Sequence, residues 1–159
     1  MDYGPWTIFA TMNNLFEPSV AMDIISRLQK IHAGTKPLWG KMNAAQMMAH
    51  CQAPFQVYFG NMKLKRGLIG FLFGGIAKKQ LSSDKPWKHN LPTAKEFIVA
   101  DERNFESERN KLIELINRFN TETSRDSVFM HPFFGKMTSE EWGMLGYKHL
   151  DHHLKQFGV

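Results

Sequence analysis

Seven histidines are spread along this 159-residue chain, and three of them are spaced so that they could do chemistry together. His149 and His153 stand four residues apart, so on a helix they project from one face, where two imidazoles can grip one divalent ion. His152 competes for the second place. At about 100° per residue it falls about 60° to the far side of His149, whereas His153 lies inside the arc of Trp142, Leu150 and Phe157. Imidazoles turned toward an apolar core need polar partners there, and a metal would supply one. A third ligand has to come from another element. His50, flanked on its own face by Met47, Pro54 and Val57, is the candidate, giving a three-histidine set with positions left for water or substrate. A plainer alternative stands beside it: a pair at this spacing is often a solvated or hydrogen-bonded surface pair, and a lone His50 a satisfied core residue.

Other side chains are candidates to line the same pocket. Gln46 lies one turn before His50 and could donate a hydrogen bond, His131 sits in the loop His131-Pro132-Phe133-Phe134-Gly135, and Trp142 and His152 share the last helix with the histidine pair. A polar helix face and simple loop packing explain Gln46 and His131 equally well. Cys51 points about 100° away from His50 and reads as a buried apolar residue, and His32 and His89 read as ordinary surface residues. There is no HExxH pattern, and Asp151 points about 160° from His153, so a metalloprotease is disfavoured.

The elements that must position these residues read as four amphipathic helices. The first spans about Ser19 to Ile31 and ends in the breaker-rich stretch from Gly34 to Gly40. The second follows Asn43, a good N-cap residue, and runs to Gly60, with a kink or early break expected near Ala53 because Pro54 lies inside it. The third opens at Asp101 with Glu102 in its first turn. The fourth opens on Thr138 and Glu141 in capping-box spacing and stops at Gly158. No stretch alternates with period two between hairpin turns, although Glu96 to Ala100 could form a short extended piece. The expectation is an all-α single domain over residues 1–159, a four-helix bundle with a long crossover insert at 61–100 between helices two and three.

Composition fits that picture. Thirteen Phe, ten Met and four Trp provide core bulk without disulfides, and the single Cys51 suits a reducing compartment. The N-terminal residues do not resemble a secretory signal, and the apolar run from Leu68 to Ile76 is far shorter than the roughly 20 residues of a membrane span, so a cytoplasmic location is expected. The net charge of +5 is concentrated: between Asn61 and Asn90 seven basic residues face Asp84 alone. An anionic partner would therefore meet that segment, but neither nucleic acid nor membrane is the expected partner. Lys63 to Lys88, with Leu68, Ile69, Phe71, Leu72 and Phe73 between lysines, reads as a crossover helix covering the bundle or a dimer contact, with an interfacial helix as the alternative.

One histidine on the second helix and two, four apart, on the last resemble the metal site of the DinB-like superfamily of four-helix bundles. The segments Trp39-Gly40-Lys41-Met42-Asn43, Met48-Ala49-His50-Cys51, Leu91-Pro92-Thr93, His131-Pro132-Phe133-Phe134-Gly135 and Tyr147-Lys148-His149-Leu150-Asp151-His152-His153 resemble a bacterial branch called domain of unknown function 1569, from Leu15 onward. The resemblance implies Zn²⁺ or Ni²⁺ on three histidines, a homodimer, and a small-molecule substrate. Characterised relatives in that superfamily include transferases and isomerases that use a low-molecular-weight thiol. The expectation is a metal-dependent enzyme, an S-transferase in one form. The alternatives are a metal-braced module without catalysis and an anion-surface binder acting through residues 63–88.

Overall fold

The computed structural model describes residues 13–64, 78, 83, 85–122, 128–131 and 133–159. Within them the chain is mostly helical, in the order α1 (Pro18–Gln29), α2 (Ala44–His50), α3 (Ala53–Tyr58), a 3-10 turn (Lys95–Phe97), α4 (Phe105–Asn120), β1 (Val128–His131), β2 (Gly135–Thr138) and α5 (Ser139–Gln156). The apolar run from Leu68 to Ile76, in the basic crossover, lies outside the described residues.

Helix α1 starts with Pro18 in its first turn, where the missing N–H costs nothing, and buries Ala21, Ile24 and Leu28. The residues before it dock on α5. Leu15 N–H donates to the Gly143 carbonyl at 3.1 Å, and Asn14 Nδ2 donates to the Glu140 carbonyl at 3.1 Å. A Cβ on Gly143 would run into the Asn14 side chain, and one on Gly146 would stand 3.1 Å from Leu15 Cδ2. Glycine is a poor helix former, but at these two positions it lets the chain lie directly on the helix. At the other end of α1, Arg27 donates to Asp151 Oδ1 at 3.0 Å and to the Val159 carbonyl at 3.1 Å, tying α1 to the end of α5.

The second expected helix is two. Asn43 and Gln46 form a reciprocal capping box that opens α2. Pro54 has no N–H to give the His50 carbonyl, so α2 ends at His50 and α3 begins at Ala53 with the proline in its first turn. The break is hooked to α4: Gln52 Nε2 donates to Glu108 Oε2 at 2.7 Å and to the Glu108 carbonyl at 3.1 Å. Burial alone would push the Glu108 carboxyl up, but the hydrogen bonds from Lys111 and Gln52, together with the charges of Lys111 and Arg103, outweigh it and hold the group below its ordinary value.

Three sequence expectations are corrected. The third long helix opens at Phe105, not Asp101, because Asn104 caps it through a bond from Ser107 N–H, while Asp101 instead pairs with Arg103. The all-α reading is corrected by an antiparallel hairpin, β1 with β2, registered from Val128 opposite Thr138 to His131 opposite Gly135. Gly135 turns it with φ of 77°, a backbone region that side chains disfavour. The extended piece expected at Glu96 to Ala100 begins instead with the 3-10 turn Lys95–Phe97.

Strand β2 runs straight into α5, whose Thr138 and Glu141 form the expected capping box. Beneath, Phe119 is a hub of the core, stacked on Phe16 at 4.4 Å and edge-on to Phe55 and Tyr58 at 5.4 and 4.7 Å between ring centroids.

Gly143→Ala provides a check. In an open helix the change stabilises by about 1 kcal/mol. Here the added methyl displaces Asn14, and overpacking of that kind costs about 1–3 kcal/mol. Urea unfolding of Gly143→Ala is expected to show a lower midpoint, and a raised midpoint contradicts the docking.

Candidate metal centre

His50 is the last residue of α2, placed there by the proline break, and His149 and His153 sit one turn apart on α5. The three rings converge. Centroid separations are 5.1 Å for His50 and His149, 4.7 Å for His50 and His153, and 4.8 Å for His149 and His153. Nε2 of His149 lies 3.1 Å from Nε2 of His50. His50 and His153 are buried, while His149 keeps some exposure as a residue although its ring is enclosed by the cluster.

Hydrogen bonds on the far sides of the rings decide which nitrogen is bare. His50 Nδ1 is 2.9 Å from the Phe97 carbonyl, which can only accept, so Nδ1 carries the proton and Nε2 presents its lone pair. His153 Nδ1 is 2.8 Å from Gln156 Oε1, and the orientation of that amide is fixed because its Nε2 donates to the Trp39 carbonyl at 2.7 Å. His153 Nδ1 therefore carries a proton too, and its Nε2 is bare. Such outer partners typically set the tautomer of metal-ligating imidazoles.

Burial, the largest influence on each ring, makes all three hard to protonate. It lowers His50 against a smaller opposing effect from the Phe97 carbonyl. Burial and then the neighbouring imidazoles push His149 well below its ordinary value, and burial followed by His50 brings His153 down to about 3. Neutral imidazole is the ligating form.

The geometry fits an ion. Zinc–imidazole bonds are about 2.0–2.1 Å, so two ligand nitrogens lie about 2.9 Å apart at a right angle and about 3.4 Å apart at the tetrahedral angle. The 3.1 Å between His50 and His149 falls between these. The three ligand atoms lie within 4.8 Å of one another. Because about 4.1 Å is the most that one such ion can span, a small inward turn of one ring completes the set from the outer end of that range. Without a cation, one nitrogen of the close pair must carry a proton for the other to accept.

Of the residues expected to line the pocket, His152 is beside the cluster, its ring 5.1 Å from that of His153. Gln46 is spent elsewhere, in the α2 capping box and on the Asp101 carbonyl. His131 and Trp142 pack on each other, with ring centroids 5.0 Å apart, at the other end of α5. His131 Nδ1 accepts from the Phe133 and Phe134 N–H groups, which is the loop-packing role. Cys51 is fully buried, with its thiol pushed up by burial. Asp151 is held by Arg27 and Lys155, away from the cluster.

The sequence reading missed the aromatic rim. Trp39 stacks on His89 at 3.8 Å and meets His152 edge-on at 5.8 Å, while Trp87 stands 6.2 Å from His149 and 6.0 Å from His152. His89 is exposed, as expected, but it is part of this rim. These residues lie in loops without a periodic signal. Gln156, three residues after His153 on the same helix face, was within reach of spacing arguments.

A family model described as protein of unknown function (DUF1569) matches residues 19–158. No curated protein and no solved structure matches the chain.

The buried imidazoles make stability depend on pH. The unfolded chain binds protons near pH 6.5, whereas folded His131 is lowered by burial to about 4 and His153 to about 3. Stability present above about pH 6.5 is therefore lost progressively as the pH falls toward those values. With a chelator present, the urea midpoint is expected to hold steady above about pH 7 and to drop by pH 5. An unchanged midpoint at pH 5 contradicts neutral burial.

Proposed function

We propose that this chain, which belongs to the DUF1569 family of proteins of unknown function, holds one divalent metal ion on Nε2 of His50, His149 and His153, in a bundle of the DinB-like type. The observation that carries this reading is the convergence of three buried imidazoles, two of them with Nδ1 committed to outer partners and Nε2 turned inward. An all-imidazole set suits zinc or nickel rather than calcium or magnesium.

We further propose that the site serves transfer of a low-molecular-weight thiol to an electrophilic substrate. A cation held by three neutral ligands keeps its full charge and lowers the pKa of a thiol or water bound to it. Among the described residues no carboxylate joins the three histidines, so no acidic side chain is in place as a general base for hydrolysis. Thiol transfer needs less. The thiol proton passes to solvent, the sulfur forms a bond to the electrophilic carbon, and the leaving group departs with the electron pair of the broken bond. The chain's own groups bind and orient: His50 and His153 are held by Phe97 and Gln156, and the partly buried rings of Trp39 and Trp87, beside His152 and His149, offer apolar faces to an electrophile.

One observation favours a second reading, a metal that only braces the fold. Helix α2 packs chiefly on α4, and the histidine cluster is where it meets α5, so an ion there would clamp the two.

Two measurements separate these readings. Protein purified without an affinity tag is expected to carry one zinc or nickel per chain, and His149→Ala to bind at least about 100-fold more weakly, since a ligand is lost outright rather than an outer partner. Unchanged metal content in His149→Ala contradicts the site. The metal-loaded chain is then expected to conjugate bacillithiol, mycothiol, glutathione or coenzyme A to monochlorobimane faster than His149→Ala. Equal rates across all four thiols, with metal binding intact, leave the brace.

A further inference from the structure

Gln156 is buried at the last position of α5, and every polar atom of its side chain is committed. Its Oε1 accepts from His153 Nδ1–H at 2.8 Å, and its Nε2 donates to the Trp39 carbonyl at 2.7 Å. Its own carbonyl accepts from Leu38 N–H at 2.7 Å, so the segment from Leu38 to Gly40 is fastened to the end of the helix from both sides. Gly40 makes room: it holds φ at 82°, and a Cβ there would stand 2.5 Å from Gln156 Nε2. Turning the amide over would set N–H against N–H and oxygen against oxygen, so only one orientation satisfies both ends. That same segment carries Trp39, whose ring lies on His89 and against His152, the neighbour of His153 in the histidine cluster.

We propose that Gln156 is a positioning residue that makes ion binding at His153 and the seating of the Trp39 rim a single linked equilibrium. This rests on the metal reading above. The amide oxygen keeps the proton on His153 Nδ1 and the lone pair on Nε2, and the amide nitrogen fixes the rim segment relative to that ring. Whatever settles one end therefore favours the other, and linkage requires the coupling to be reciprocal: the ion seats the rim, and a seated rim tightens the ion. A substrate that rests on Trp39 would thereby raise the affinity for the metal that acts on it.

Two substitutions split the roles. In Gln156→Glu the carboxylate still accepts from His153 Nδ1–H but cannot donate to the Trp39 carbonyl, whereas Gln156→Met fills the space and does neither. Zinc affinity is measured by competition with a chelating dye, and the rim by the zinc-induced change in tryptophan emission, assigned to Trp39 by its absence in Trp39→Phe. Thermal melts confirm that each variant is folded. Gln156→Met is expected to bind zinc about 10–100-fold more weakly, the usual loss for an outer partner of a ligating histidine. Gln156→Glu is expected to stay within a few-fold of the wild type while losing the Trp39 response at saturating zinc. If Gln156→Glu loses as much affinity as Gln156→Met, or if Trp39 still responds in Gln156→Glu, Gln156 does not join the two events. A wild-type chain that takes up no zinc overturns the metal reading itself, and the linkage with it.

Discussion

The structure turns on one constraint: three imidazoles are enclosed together in uncharged form, and every ring nitrogen that loses water must gain another partner. For His50 the partner on the outer side is the Phe97 carbonyl, and for His153 it is Gln156. Satisfying the outer nitrogens this way points lone pairs at one another on the inner side. Such an arrangement is costly when empty of protons or cations and favourable around a positive ion. The same burial that depresses the basicity of these rings keeps them in the form that ligates.

The rest of the fold serves that convergence. Pro54 ends α2 at His50, and the bonds from Gln52 to Glu108 secure the break on α4. The α5 helix receives the hairpin at its N-terminus and Asn14 and Leu15 on Gly143 and Gly146, and its outer face is tied to α1 through Arg27 and Asp151. That ion pair explains why the acidic residue between His149 and His153 takes no part in the cluster. The loop from Leu38 to Gly40 is bound to the last turn of α5, which brings Trp39 against His152.

Much of the site was legible in the sequence because helices obey a simple period. Four-residue spacing puts His149 and His153 on one face, the Thr138 and Glu141 box marks where α5 begins, and a proline inside a helical pattern announces its break. Contacts set by tertiary folding were not legible. The Phe97 carbonyl that holds His50 is a backbone group in an irregular segment, and no residue type signals it. Asp101 and Glu102 resemble a helix start, but Asn104 caps the helix by accepting from Ser107 N–H, while the Asp101 carboxylate is taken up by Arg103. The hairpin around Gly135 escaped because one half of it alternates over only four residues, Gly135 to Thr138, too few to stand out as a strand. His89 looked like a surface residue and is exposed. Its stacking on Trp39 depends on two loops meeting.

The most direct test is a crystal grown in zinc and measured at the zinc absorption edge. The account predicts a single strong anomalous peak per chain, about 2.0–2.1 Å from Nε2 of His50, His149 and His153, with His50 Nδ1 still on the Phe97 carbonyl. A peak placed instead between His89 and His152, or no ordered peak near the three histidines, contradicts it.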